Sequence, residues 1–202
     1  MSRHAHRSRR ARWEAAAPIL LGFVLGCGGQ RAPEPETRPI EMLVANDPET
    51  LDPRYATDAV GLRTTRLVHA GLVRLDPTSL EPRPYVARSW RWRDELTLEV
   101  SLREDVRFHS GALLSARDVV ATLHAFASPE VASRHARIVE AIAEVRADGE
   151  HTVVIRLARP HATLLTDLEL PILRADQAAL PPSPQGLLDG LGPYSLTSVG
   201  QG

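Results

Sequence analysis

Val106 to Leu123 constrains this chain most, because a strand-like alternation, a turn and a capped helix follow one another there without a spare residue. Val106 and Phe108 alternate with Arg107 and His109, the period of a half-buried strand, and Ser110-Gly111 supplies a turn. Ser115 stands at an N-cap position. Its hydroxyl is placed to accept from the Asp118 amide, and the Asp118 carboxylate is placed to reach back to the Ser115 amide at the positive end of the helix dipole. Val119, Val120 and Leu123 form the apolar stripe expected to face a core.

The N-terminus reads as an export segment. Arg3, Arg7, Arg9, Arg10 and Arg12 make a positive head, and Ala15 to Leu25 is an apolar run too short for a comfortable membrane span. Val24-Leu25-Gly26-Cys27 then presents the sole cysteine of the chain directly after a small residue, in the manner of a bacterial lipobox. The pattern predicts a signal peptide over 1–26 and lipidation of Cys27, with membrane lipid as partner and burial of acyl methylenes as the anchor. An acylated Cys27 leaves no thiol for a disulfide. Residues 27–39, with Pro33, Pro35 and Pro39 among charged residues, read as a tether, and 40–202 as the folded part. The expected location is extracytoplasmic and lipid-anchored.

Beyond the tether, Glu41 to Asn46 reads as a buried strand stopped by Asp47-Pro48. Ala59 to Ala70 is expected to be a helix with Val60, Leu67 and Val68 inward and Gly71 as C-cap. Leu72 to Leu75 reads as a strand, and Leu96 to Leu102 alternates cleanly enough to pair with Ser89 to Trp92 across Arg93-Asp94-Glu95. Trp90 reads as a core or hinge-side anchor on size alone. Val131 to Val145 reads as one or two helical pieces around Ile138, Val139 and Ile142, Asp148-Gly149 as a hairpin turn, and Thr152 to Leu157 as a strand. A short helix through Leu164, Leu165 and Leu168 follows, then a Pro-rich loop at Pro181, Pro182 and Pro184.

The bulk numbers describe an ordinary globular protein, with 202 residues, 43% hydrophobic and 24% charged. Every basic residue is Arg, yet 25 acidic residues offset 24 basic ones, which argues against a nucleic-acid partner. G-x-S-x-G, P-loop, H-E-x-x-H and Cys-x-x-Cys motifs are absent from the sequence, so no enzyme, cofactor or metal site is expected. His109 beside Ser110 suggests a nucleophile pair only superficially, because adjacent strand residues point to opposite faces.

Several of these stretches together resemble the extracytoplasmic solute-binding proteins of family 5, the dipeptide, oligopeptide and nickel receptors of ABC importers. V-R-F-H-S-G-A-L-L-S-A-R-D-V-V at 106–120 is similar to the family's V-K-F-H-D-G-x-P-L-T-A-E-D-V-V. Pro48, Thr50, Leu51, Asp52 and Pro53 fall in register with P-x-T-L-D-P. Gly71 to Pro77 resembles E-G-L-V-x-x-D-P, Pro84 to Trp90 resembles P-x-L-A-x-S-W, and Gly190 to Tyr194 resembles G-T-G-P-Y with Leu191 at the hydroxyl position. Departures include Leu98 and Val100 where the family often has aromatics, and Asp105 where Gly is common, a residue expected to tolerate a left-handed turn.

The resemblance implies an α/β, periplasmic-binding-protein-like (type II) fold with a mixed sheet flanked by helices. It also implies that 40–202 is part of lobe I, with the second lobe absent from this chain. The implied function is capture of a peptide or related small solute in an interlobe cleft and its delivery to an ABC permease. Tyr55, Thr57, Asp58 and Ala59, between the Leu-Asp-Pro motif and the first helix, are the ligand-binding candidates it indicates, and Thr57 and Asp58 would be the polar groups facing ligand. The residues themselves admit a plainer role, capping of the following helix. The alternative function is a truncated, membrane-tethered structural or interaction lipoprotein that binds no solute.

Overall fold

Two sheets and three helices organise the computed structural model, which describes residues 43–44, 46–182 and 187–198. The export segment, Cys27 and the tether lie outside the described residues. Helix α1 spans Ala59–Val68, and strands β1 (Val73–Leu75) and β2 (Pro82–Pro84) form a small antiparallel pair. Strands β3 (Ala87–Asp94) and β4 (Thr97–Leu102) form the hairpin expected around Asp94. Helix α2 covers Ala116–Ala127, strands β5 (Ile142–Ala147) and β6 (Thr152–Leu157) make a second hairpin, and α3 is the single turn Leu164–Asp167.

The large sheet runs β3-β4-β6-β5. The α/β class is as expected, and within it every strand pairing among the described residues is antiparallel. Register explains the core. Leu98 lies opposite Trp92 and Ile155, and Val100 opposite Trp90 and Val153, so these side chains share one face. Helix α2 lies against β5 and β6 and buries Val119, Leu123 and Phe126. Each such side chain contributes about 1.5–3 kcal/mol through removal from water. The opposite face carries Arg91 and Arg93 on Glu99, and Arg156 on Glu144, an array of ion pairs fit for solvent.

The capping box forms with an altered donor. Asp118 accepts both the amide and the hydroxyl of Ser115 at 2.8 Å, while its own amide donates to the Ser115 carbonyl. The second Asp118 oxygen accepts the Ala175 amide at 2.8 Å, so the cap also fastens the chain after Leu173. One turn further on, the Thr122 hydroxyl accepts the Leu173 amide at 2.9 Å in the buried interior.

Several local expectations are corrected. Residues 142–147 form a strand rather than a helical piece, because the turn at Gly149, with φ +86°, folds them onto β6; only Ala136–Val139 makes a 3₁₀ turn. Leu67 is exposed, and the inward face of α1 is Gly61, Thr65 and Val68, the i, i+4, i+7 stripe. The cap of α1 is His69 in place of Gly71. Of the expected strand at 106–109 only one bridge forms, Arg107 with Leu113, because Gly111 at φ +89° closes a tight turn. Asp105 has no left-handed backbone and pairs with the Arg103 guanidinium instead. Of the strand expected at Glu41 to Asn46, Glu41, Met42 and Ala45 lie outside the described residues, and Leu43 and Val44 are exposed and assigned to no strand.

Candidate functional site

Asp52 and Arg54 set the geometry of the segment that leads into α1. Both side chains are fully buried. Arg54 grips Asp52 through Nε at 2.9 Å and a terminal nitrogen at 2.6 Å, and its other terminal nitrogen donates to the Ala178 and Leu180 carbonyls at 3.0 and 2.6 Å. Burial pulls the Arg54 guanidinium down, but its hydrogen bond with Asp52 and the charge of that carboxylate outweigh burial and hold it above the ordinary arginine value. Asp52 also accepts the Arg54 amide at 3.1 Å, the turn role expected of an aspartate before proline.

A second segment, Val131 to His135, is stapled to residues 54–57. The Tyr55 hydroxyl donates to the Val131 carbonyl at 2.6 Å, and the Arg54 carbonyl accepts the Ser133 hydroxyl at 2.8 Å and the Arg134 amide at 3.1 Å. His135 Nε2 lies 2.8 Å from the Ala56 carbonyl, and an Arg134 nitrogen donates to the Thr57 hydroxyl at 3.2 Å. Ala132 takes φ +51°, a left-handed conformation that costs a non-glycine residue about 1–2 kcal/mol. The staples offset that cost.

Of the sequence candidates, Tyr55 is thus half-buried and tied down, while Thr57 is exposed beside Arg134. Asp58 is the N-cap of α1, accepting the Val60 and Gly61 amides at 3.0 and 2.8 Å. Its pKa is lowered, chiefly by the Gly61 amide. Ala59 opens the helix and is exposed. Cys27 lies outside the described residues. The sequence reading missed Arg54, Ser133 and Arg134, whose role comes from contacts across more than seventy residues. Nearby, a pocket of about 190 Å³ opens between α1, the 3₁₀ turn and α3, with Pro53, Thr65, Arg66, His135 and Glu169 among its walls.

His109 and Ser110 do not face each other as a catalytic pair. His109 Nε2 lies 2.8 Å from the Gly192 carbonyl, whereas the Ser110 hydroxyl donates to Asp189, which also accepts from Arg174 at 3.1 Å. Gly190 and Gly192 pass so close to the end of α1 that a Cβ on either would collide with the Val68 or Leu67 carbonyl. Close approach, then, dictates the Gly-x-Gly. Beneath it His69 is buried, with neither ring nitrogen hydrogen-bonded among the described residues. Burial pulls its imidazole down to about 4, with His109 adding to the effect and the carboxylates of Asp52 and Asp189 opposing it. No group of three or more metal-ligating side chains gathers among the described residues.

This architecture is that of part of a type II periplasmic binding protein. Residues 81–202, more than half of the chain, match the bacterial extracellular solute-binding proteins, family 5, middle part, and the chain belongs to that family. Glutathione-binding protein GsiB of Salmonella typhi is 27% identical over 173 residues, which cover 80% of this chain and 32% of that protein. Among solved structures, NikZ from Campylobacter jejuni, in complex with Ni(L-His), is 30% identical with a TM-score of 0.68, over 77% of this chain and 32% of its own. AgaA from A. tumefaciens R10, in complex with agropinic acid, shares the fold at 24% identity and a TM-score of 0.70, over the same shares. The chain therefore spans about a third of the length of the relatives it matches.

Proposed function

We propose that this chain is part of a lipid-anchored receptor that captures a peptide or related small solute and delivers it to an ABC permease without chemical conversion. The observation that carries the reading is the double fastening of residues 54–57, by buried Arg54 on one side and by Val131 to His135 on the other. Such fastening pre-organises a wall before any solute arrives, and a pre-organised wall lowers the ordering cost of binding. Tyr55, Thr57, Asp58 and Ala59 form that wall, with Asp58 acting through the helix it caps. The named ligands of relatives, glutathione and a nickel–histidine complex, are small and carry carboxylates, in keeping with this solute class. Closure of two lobes requires that solute bind the closed form more tightly than the open one.

The N-terminal pattern supports export over residues 1–26, acylation of Cys27 and a tether over 27–39. Intact mass of the native protein from its membrane fraction tests this part: an N-terminus at acylated Cys27 supports it, and a free thiol at Cys27 removes the anchor. Solute capture is tested by melting the full-length protein against glutathione, tri-alanine and nickel with L-histidine. A ligand at 100 times its Kd adds about 2.7 kcal/mol of stability. A flat melting profile against the whole panel would favour the tethered structural lipoprotein.

A further inference from the structure

Asp189 to Tyr194 crosses the C-terminal end of α1 as a strap. The last carbonyls of a helix have no partner within it, and the strap supplies donors to two of them. The Gly192 amide donates to the Val68 carbonyl at 2.8 Å and the Tyr194 amide to the Leu67 carbonyl at 3.1 Å, while the Gly190 carbonyl accepts the His109 amide at 2.9 Å. At the entry to the strap, Asp189 accepts the Ser110 amide and an Arg174 nitrogen, each at 3.1 Å. The strap thus closes on hydrogen bonds alone, several of them at the surface, where water can replace them. His69, the residue after Val68, is 2% exposed, and neither of its ring nitrogens has a hydrogen-bond partner among the described residues. A buried polar group left unpaired is costly, and the closed strap carries that cost at the helix end it covers.

The charges that act on His69 come from three segments packed at this helix end. Asp52, ahead of α1, is paired with Arg54; Asp189, on the strap, is paired with Arg174; and His109 stands on the turn before α2. Both carboxylates already hold a guanidinium, and His109 disfavours a second positive imidazole. Burial dominates and pulls His69 down to about 4 while the strap is closed. Water at the ring restores the ordinary value of 6.5, so the lifted strap binds the proton first and gains on the closed one as pH falls from 6.5 towards 4. We infer that Asp189 to Tyr194 is a proton-released latch on the end of α1, which opens when His69 takes up a proton and closes when it loses it. Asp58 caps the opposite end of the same helix, so the latch holds the far end of the element that follows the candidate wall. The device is a property of the fold and stands whether or not a solute is captured.

The test is amide hydrogen exchange of the full-length protein in sub-denaturing urea, at about pH 7 and about pH 5, corrected for intrinsic exchange rates. The Gly192 and Tyr194 amides are expected to exchange through a local opening that urea barely changes, whereas amides of β4 and β6 follow the steep urea dependence of global unfolding. The population of the local opening should rise about twentyfold from pH 7 to pH 5, the ratio that values of 6.5 and about 4 for the open and closed forms give. His69→Gln and His69→Leu, which cannot take the proton, should abolish that rise, and His109→Gln should retain it. Equal urea slopes for the strap and for β4 in the native protein overturn the inference without any variant having to fold. So does a native opening that does not respond to pH, or a response that survives His69→Gln and disappears in His109→Gln.

Discussion

Breaking the Asp52–Arg54 pair should unfasten the candidate wall at a cost that can be stated in advance. Arg54→Met removes two charge-assisted bonds to Asp52 and the donors to the Ala178 and Leu180 carbonyls. It also leaves the Asp52 carboxylate in the interior without its guanidinium. Removal of one partner of a buried pair costs about 3–5 kcal/mol, because desolvation of the remaining charge is no longer compensated. Asp52→Asn keeps the turn acceptor and the volume, yet strands the Arg54 charge, so a loss of the same size is expected. In the double variant no buried charge remains. Its destabilisation should fall short of the sum of the singles by at least about 2 kcal/mol, within the range seen for residues in direct contact. Urea unfolding of the full-length protein, followed by circular dichroism with a two-state check by fluorescence, reads all three values. Single losses below about 1 kcal/mol with additive behaviour would refute the reasoning, since they would mean that water reaches the pair.

Other perturbations separate the remaining supports. His69 titrates near 4 in the fold against an ordinary value of 6.5, so the unfolded chain binds the extra proton first; stability should decline as pH falls from about 6.5 to about 4, by roughly 3 kcal/mol. His69→Leu should remove that share of the acid sensitivity in pH-dependent urea melts, and an unchanged slope would contradict it. Gly192→Ala, whose Cβ would meet the Leu67 carbonyl, should cost at least about 1–3 kcal/mol and lower the melting midpoint, whereas Gly149→Asn, at an open turn with φ +86°, should cost far less. Asp118→Ala loses the cap of α2 and the acceptor of the Ala175 amide, a combined loss of about 2–4 kcal/mol by urea unfolding; a loss below 1 kcal/mol would mean that Ser115 caps the helix alone.

The parts of the fold that were legible in the sequence are those governed by local rules. Leu98, Val100 and Leu102 alternate because one face of β4 is buried, and Asp148-Gly149 closes a hairpin because glycine accepts a positive φ. Ser115 and Asp118 announce a helix start through their own chemistry. Legibility ended where distant contacts decide. Ile142 to Ala147 carries apolar residues that suit either period, and only pairing with β6 selects the strand. Leu67 reads as a core residue, yet the segment at Gly192 and Tyr194 takes the backbone carbonyls of Leu67 and Val68 and leaves the Leu67 side chain outside. Burial of Arg54 defies composition altogether, because an arginine enters a core only when specific acceptors wait there, and those acceptors sit at Asp52, Ala178 and Leu180. At the proposed wall, family resemblance pointed to residues 55–59, whereas Val131 to His135 was indicated by no motif quoted from the sequence and meets them only through the three-dimensional path.

Amide hydrogen exchange on the full-length protein, with and without a saturating solute that raises its melting midpoint, reads directly whether the proposed wall meets the solute. Solute is expected to slow exchange in two separated stretches together, Tyr55 to Ala59 and Val131 to His135, while the β3–β4 hairpin exchanges unchanged. Protection confined to other parts of the protein, with both stretches indifferent to solute, would contradict the assignment of this wall to the binding site.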